Sequence, residues 1–164
     1  MTSRPFLART PVIILSGIAM LLVGFCFSLV MPLVDGQLLD MIWSGPAAEA
    51  RLAEMSASNK TAHFWTTLVI DTAYPLAYGA FFAGLAARFA PERFARAAML
   101  PAGVVVVLDL VENTAQMMAL QGSQNVLWLK TYVTPAKFSV LGVAILLAGI
   151  LALLALARFA LRNR

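Results

Sequence analysis

Charge is scarce in this sequence. Only 12% of its 164 residues are Asp, Glu, Lys or Arg, whereas 61% are hydrophobic, and the mean hydropathy is +0.84. A soluble domain of this size could not hide so much apolar surface from water. The composition therefore excludes an ordinary soluble domain and predicts a protein whose solvent is lipid.

Reactive and metal-ligating residues are equally few. Cys26 is the single cysteine, so no disulfide can form within the chain. His63 is the single histidine, which leaves a zinc site without partners, and its neighbours Phe64 and Trp65 favour an anchor at the membrane interface. The sequence also lacks a Ser-His-Asp set, a P-loop, a GxGxxG fingerprint, a CxxC pair and a haem signature. No cofactor and no metal ion is therefore predicted.

Long apolar stretches occupy most of the chain. Four of them reach the roughly 20 residues that a membrane span needs, at about 12–34, 64–87, 97–120 and 138–157. The first lacks a cleavage site and is too long for a signal peptide, so we interpret it as a retained span. Without an internal repeat or a low-complexity linker, residues 1–164 are predicted to form one all-α domain, a polytopic bundle of four transmembrane helices.

The basic residues indicate an orientation. Eight of the twelve flank the apolar stretches on one side: Arg4, Arg9, Arg88, Arg93, Arg96, Arg158, Arg162 and Arg164. By the positive-inside rule, both termini and the connection between spans two and three are predicted to be cytoplasmic. The formal net charge of +4 is thereby explained by anchoring arginines at anionic headgroups. The expected partner is the lipid bilayer and not nucleic acid.

Two connections on the opposite side carry local signals. The stretch "SGPAAEARLAEMSASNKT" predicts a short amphipathic helix at the outer surface that begins near Pro46, with a partly helical loop as the alternative. Thr134 and Pro135 resemble an N-cap and a first helical residue, so span four is predicted to begin there. Lys130 then belongs to the outer connection.

Polar residues interrupt spans two and three at helical spacing. Each set follows an i, i+3, i+4, i+7 pattern, which makes it one stripe on its helix. The stripes are Asp71, Tyr74, Pro75 and Tyr78 in span two, and Asp109, Glu112, Asn113 and Gln116 in span three. Counting helical rise from the cytoplasmic edge gives heights of roughly 18 to 30 Å for Asp71, Asp109, Glu112, Gln116 and Lys137, with Tyr74 and Tyr78 progressively deeper than Asp71. Because charge facing lipid is costly, both stripes are predicted to face the bundle interior in the outer half of the bilayer.

The segments "DTAYPLAYGAFF", "LDLVENTAQ" and "TPAKFSVLGV" together resemble a group of small bacterial four-helix integral membrane proteins. The shared pattern is D-x-x-Y-P, D-x-x-E-N and T-x-x-K. The resemblance implies that Asp71, Tyr78, Asp109, Glu112, Asn113 and Lys137 form one constellation. It also implies a bacterial inner (plasma) membrane, and it implies no activity.

The constellation has an excess of acid. Asp71, Asp109 and Glu112 with Lys137 would sum to −2 if all were ionised, which a buried site does not tolerate without a proton, a cation or water. We predict Asp109 and Glu112 as an acid/base pair. In this interpretation Lys137 pairs with Glu112 or Asp71, and Asp109 lacks a basic neighbour and stays protonated. Ligand-binding residues are predicted at Asp71, Tyr74, Tyr78, Asn113, Gln116 and Lys137.

Several functions remain open at this point. The leading hypothesis is a binding or acid/base site for a lipid-like or small hydrophobic ligand near the outer face. The alternatives are a small proton- or cation-linked carrier, and a structural or accessory subunit that assembles with copies of itself or with another membrane protein. In the last case the polar network only fixes helix register, although interhelical hydrogen bonds in membranes contribute only about 0.6 kcal/mol each. Whether the protein is an enzyme is not decided by the sequence.

Overall fold

A computed structural model of the chain describes residues 4–162, so Arg164, counted above among the cytoplasmic arginines, lies outside the described residues. Within this range all regular secondary structure is helical and no strand is present, which confirms the all-helical prediction. The α-helices in chain order are α1 (Thr10–Val34), α2 (Gly45–Glu54), α3 (Ala57–Trp65), α4 (Thr72–Phe89), α5 (Ala95–Ala98), α6 (Leu100–Leu120) and α7 (Lys130–Arg162).

Four helical stretches are long and apolar enough to cross a membrane. They are Thr10–Val34, Ala57–Phe89, Glu92–Leu120 and Gln124–Arg162. Each includes one of the predicted spans and is longer than that span. In the last three, neighbouring helical segments continue the stretch. In the second of them a π-helical turn joins α3 to α4.

The predicted start of span four at Thr134 is wrong. A 3-10 helix over Gln124–Leu129 leads directly into α7, which begins at Lys130. Helical residues therefore already precede Pro135, which lies inside α7 near its N-terminus. Lys130 and Thr134 consequently belong to the helix rather than to the connection before it.

The predicted short helix at the outer connection is present as α2. Pro46 lies in its first turn, as expected, and the Ser44 hydroxyl accepts a hydrogen bond from the Ala47 amide and so caps the helix. Its apolar face and the adjacent 3-10 segments form one small core, made of Leu39, Ile42, Ala48, Leu52, Met55, Ala119 and Leu127. We refer to residues 35–65 and 121–129 together as the cap.

Helix α4 lies at the centre of the bundle, since it contacts α1, α6 and α7. Its approach to α6 depends on Gly79, where an added Cβ would lie 2.2 Å from a methyl carbon of Val106. Helix α1 is peripheral and packs chiefly on α4, which leaves large side chains such as Leu15, Leu21 and Phe25 more than 60% exposed. The bundle thus has a packed centre and a strongly apolar periphery.

The two ends of the bundle differ in chemistry. The end opposite the cap carries the arginines of residues 4–9, 88–96 and 158–162, and we refer to it as the arginine end. There the Arg4 guanidinium donates to the backbone carbonyl of Arg88, which ties the segment before α1 to the end of α4. The polar side chains of the bundle interior lie in the other half, beneath the cap.

Candidate functional site

A cluster of buried polar side chains lies where α4, α6 and α7 meet the cap. It consists of Asp40, Asp71, Tyr78, Asp109, Glu112, Asn113, Lys130, Thr134 and Lys137, hereafter the polar cluster. Apart from Asp40, every member is at most 5% exposed. Charged groups at this level of burial require partners, so the contacts of each member determine its chemistry.

Glu112 has the most complete set of partners. Its Oε1 atom accepts from the Lys130 ammonium and, at 2.6 Å, from the Thr134 hydroxyl. Its Oε2 atom lies 2.7 Å from Lys137 Nζ, in a second salt bridge. Two ammonium groups and one hydroxyl therefore surround this single carboxylate.

Lys137 is shared among three acids. Besides Glu112, its ammonium forms salt bridges with Asp40 and with Asp109, the latter at 3.1 Å from Oδ1. The prediction that Asp109 has no basic neighbour is therefore wrong, because the flexible Lys137 stem brings the charge down to the level of Asp109. The predicted pairing of Lys137 with Glu112 is present, whereas none of the salt bridges of residues 4–162 involves Asp71.

Asp109 accepts hydrogen bonds at both of its oxygens. Lys137 donates to Oδ1 at 3.1 Å, and the Tyr78 hydroxyl donates to Oδ2. Two donors, one of them charged, stabilise a carboxylate rather than a neutral acid. Tyr78 belongs to α4 and Lys137 to α7, so Asp109 on α6 joins the three central helices.

Three aspartates form an acidic corner of the cluster. One oxygen from each of Asp40, Asp71 and Asp109 lies within 4.8 Å of the others. Asp40 reaches this position from the 3-10 turn Leu39–Met41 in the cap, and its side chain is 18% exposed at the rim. These hard oxygen ligands could hold a cation, although the neighbouring Lys137 ammonium competes for the same charge.

The backbone around Asp71 is irregular. A π-helical turn covers Thr66–Asp71, and Pro75 follows in the first turns of α4. Because proline has no amide proton, the Asp71 carbonyl lacks its usual partner four residues on. The Asn113 side chain donates to that carbonyl at 2.7 Å. Pro75 and Asn113 are thus complementary: one leaves a carbonyl free and the other satisfies it.

Two of the predicted ligand-binding residues lie apart from these bonds. Tyr74 contributes its ring, with centroids 5.6 Å from Phe27 and 5.4 Å from Tyr78, and so packs α1 onto α4. Gln116 is fully buried, and its side-chain nitrogen and oxygen have no hydrogen-bond partner among residues 4–162. The structure therefore brings Asp71, Tyr78, Asp109, Glu112, Asn113 and Lys137 together, and leaves Tyr74 and Gln116 outside their network.

His63 departs from its expected role. It was predicted as an interfacial anchor, but it is only 1% exposed. The imidazole is buried within the cap, near the backbone of Gln37. A segment folded over the end of the bundle buries a residue that the apolar pattern assigns to the membrane edge.

Three members of the cluster were not predicted: Asp40, Lys130 and Thr134. For two of them a signal exists, because Lys130, Thr134 and Lys137 follow an i, i+4, i+7 pattern and so form one stripe on a helix. The predicted helix start at Thr134 and Pro135 places Lys130 outside the helix, so the stripe is not apparent from the sequence. No periodic signal identifies Asp40, since its position depends on the path of the connection after α1.

Comparison with known proteins adds no identification. No protein-family model, no curated protein and no solved structure matches this chain. The resemblance of its three motifs to small four-helix membrane proteins therefore stays a prediction, and the chemistry of the polar cluster is the basis for a functional proposal.

Proposed function

We propose that the protein is an integral membrane protein of four spans whose polar cluster binds a lipid-like or small hydrophobic molecule and exchanges a proton with it. The observation that carries this proposal is an excess of carboxyl groups over lysines in a buried site. Asp71 and Asp109 are the proposed acid/base pair. Glu112, the other predicted acid/base residue, is reassigned to anchoring the two lysines.

Membrane insertion is supported by the apolar periphery. The 18-residue apolar window of α1 contains no buried residue, although its hydropathy is 2.6. Lipid is the solvent that accommodates such a surface. The arginines at one end support an inner-membrane orientation with both termini cytoplasmic and the cap outside.

Reporter fusions test this topology. A reporter fused after Arg164 is expected to be cytoplasmic, and one inserted near Ser56 in the cap is expected to be external. A cytoplasmic signal from the Ser56 fusion would contradict the proposed orientation.

The charge count supports proton exchange. Four carboxyl groups, those of Asp40, Asp71, Asp109 and Glu112, share two ammonium groups, so the fully ionised cluster would carry a net charge of −2. Low-dielectric surroundings penalise that charge strongly. Protonation of one or more carboxyl groups lowers the penalty, and a proton held for this reason is available to a bound molecule.

Hydrogen bonding supports one assignment of the exchangeable proton. Asp109 accepts two donors and is thereby stabilised as a carboxylate. The Asp71 carboxyl group accepts none from residues 4–162, since Asn113 contacts only its backbone carbonyl. Asp71 is therefore proposed as the acid that holds the proton, and Asp109 as the base beside it. The partly exposed Asp40 is proposed to lie on the side of the cluster from which the molecule enters.

Infrared titration of carboxyl groups in lipid nanodiscs tests the assignment. The parent protein is expected to show a protonated-carboxyl band near neutral pH. Asp71→Asn should remove the band, and Asp109→Asn should retain it. Glu49→Gln, at an exposed acid on α2, is the matched control and should leave the band unchanged. A parent protein without any such band would contradict the proposed acid/base site.

A proton- or cation-linked carrier is the second candidate, and one observation favours it. The oxygens of Asp40, Asp71 and Asp109 lie within 4.8 Å of one another, a separation suited to holding one small cation between them. Proteoliposomes loaded with a pH-sensitive or cation-sensitive dye separate the two functions. A flux that Asp71→Asn abolishes would favour the carrier.

An accessory subunit is the third candidate. The exposed apolar face of α1 is a surface on which a copy of this chain or another membrane protein could pack. Cross-linking in native membranes would reveal such assembly, and the polar cluster would then serve to fix the register of α4, α6 and α7.

A further inference from the structure

A groove separate from the polar cluster runs between α4 and α6 at the arginine end. Its volume is about 660 Å³, within the range of about 300–1,000 Å³ that is typical of ligand sites. Its walls are apolar and include Leu76, Ala83, Leu100, Gly103 and Val106. The groove is therefore suited to a hydrocarbon chain.

Gly103 makes part of the groove's space. A Cβ added at this position would meet no atom within 4 Å, so the glycine is not required for packing between helices. Gly79, on the opposite wall, differs because a Cβ there would collide with Val106. The two glycines thus have separate roles. Gly79 permits close contact between the helices, and Gly103 leaves open space beside that contact.

Arg96 is the one charged residue among those that line the groove. It is exposed, and all four salt bridges formed by residues 4–162 use lysine, so its guanidinium is not engaged by a carboxylate of that range. An unengaged guanidinium at one end of an apolar groove matches a molecule with an anionic head and a hydrocarbon tail.

We infer that the groove binds an anionic phospholipid of the adjacent leaflet, with an acyl chain along α4 and α6 and the phosphate at Arg96. Basic residues near the ends of transmembrane helices are recognition elements for anionic headgroups. The inference rests on the proposed membrane insertion and is independent of the polar cluster. Absence of the chain from the membrane fraction would remove it together with the proposed function, whereas failure of the lipid test below would leave the acid/base site unaffected.

Native mass spectrometry of the full chain in detergent, titrated with phosphatidylglycerol or phosphatidylcholine, tests the inference. Arg96→Gln should weaken phosphatidylglycerol binding about five-fold, the effect of one surface cation on an anionic lipid. Gly103→Leu should reduce binding of both lipids, because the new side chain occupies the space of the acyl chain.

Two matched controls accompany these variants. Arg93→Gln removes the same charge from the neighbouring turn, where the guanidinium lies over the Phe94 ring instead of in the groove. Gly149→Leu adds the same side chain on α7, at a position where a Cβ also meets nothing within 4 Å. Both should bind phosphatidylglycerol as the parent does.

The contrary results are equally specific. Parent-like binding by Gly103→Leu would exclude the groove as the acyl-chain site. An equal loss in Arg93→Gln and Arg96→Gln, or equal affinity of the parent for the two lipids, would exclude Arg96 as the headgroup ligand. If Gly103→Leu does not fold, the comparison of Arg96→Gln with Arg93→Gln still decides the assignment.

Discussion

The two sides of the polar cluster differ in how many cationic partners their carboxyl groups have. On one side Glu112 is surrounded by Lys130, Lys137 and Thr134. On the other side Asp40, Asp71 and Asp109 crowd together, and Lys137 is the one ammonium group of residues 4–162 that forms a salt bridge with any of them, namely with Asp40 and Asp109. The first arrangement suits an ion pair that holds helices in register. The second suits reversible binding of a proton or a ligand. Stability and exchange are thus assigned to different acids a few ångströms apart.

The largest effect is expected from Glu112→Gln. This change leaves the fully buried Lys130 without its carboxylate, and the free energy of unfolding should fall by about 3–5 kcal/mol. Reversible unfolding in mixed micelles would measure it. Glu112→Gln combined with Lys130→Met should recover much of the loss, because no unpaired charge then remains at that contact. A strictly additive loss in the double variant would mean that the pair is not coupled.

Lys137→Met should have the next largest effect, about 2 kcal/mol in the free energy of unfolding. Glu112 keeps Lys130, and the aspartates can take up protons in place of the lost ammonium. The native state then binds more protons than the unfolded chain, so the variant should lose stability relative to the parent as pH rises. A pH-independent difference between variant and parent would indicate that Lys137 does not compensate the aspartates.

Asp109→Asn should cost about 1 kcal/mol, since the amide oxygen can still accept from Tyr78 while the charge opposite Lys137 is lost. The cost should shrink when Lys137→Met is already present, as measured by a double-mutant cycle. Equal costs in the two backgrounds would show that the contact between Asp109 and Lys137 contributes no coupling energy.

Asp71→Asn should have the smallest effect, within about 0.5 kcal/mol of the parent. No hydrogen bond from the described part of the chain reaches this carboxyl group, and its removal relieves repulsion with Asp40 and Asp109. Asn113→Leu is the informative control, because it strands the Asp71 backbone carbonyl and should cost about 1–3 kcal/mol. A larger loss in Asp71→Asn than in Asn113→Leu would assign Asp71 to the structural side of the comparison.

Periodicity predicted what lies within single helices. The spacing of Asp109, Glu112 and Asn113 on α6 requires one polar stripe, and the cost of charge at an apolar surface requires that stripe to face inward. These residues are buried together as expected. Pro46 and the helix-favouring residues after it likewise pointed to α2, with a partly helical loop as the alternative, because both signals depend on neighbours in sequence.

Contacts that depend on the path of the chain were not predictable in this way. Asp40 enters the cluster only because the cap folds back over the bundle, and His63 is buried for the same reason. The π-helical turn Thr66–Asp71 shifts the faces of the helix on either side of it, and no residue type marks such a turn. Lys130 shares a helical stripe with Thr134 and Lys137, but Pro135 points to a later helix start and so places Lys130 in the connection.

The order of charges along the chain bears on how the proposed membrane protein would be inserted. Glu112 precedes its partner Lys130 by 18 residues, and Asp109 precedes Lys137 by 28. A translocation machinery that receives α6 alone would meet two carboxyl groups whose counter-ions are still to be synthesised. Entry of α6 and α7 as one helical hairpin avoids that cost, because both lysines arrive with the acids they neutralise. In the proposed membrane protein, the short connection 121–129 would join α6 and α7 into one such hairpin.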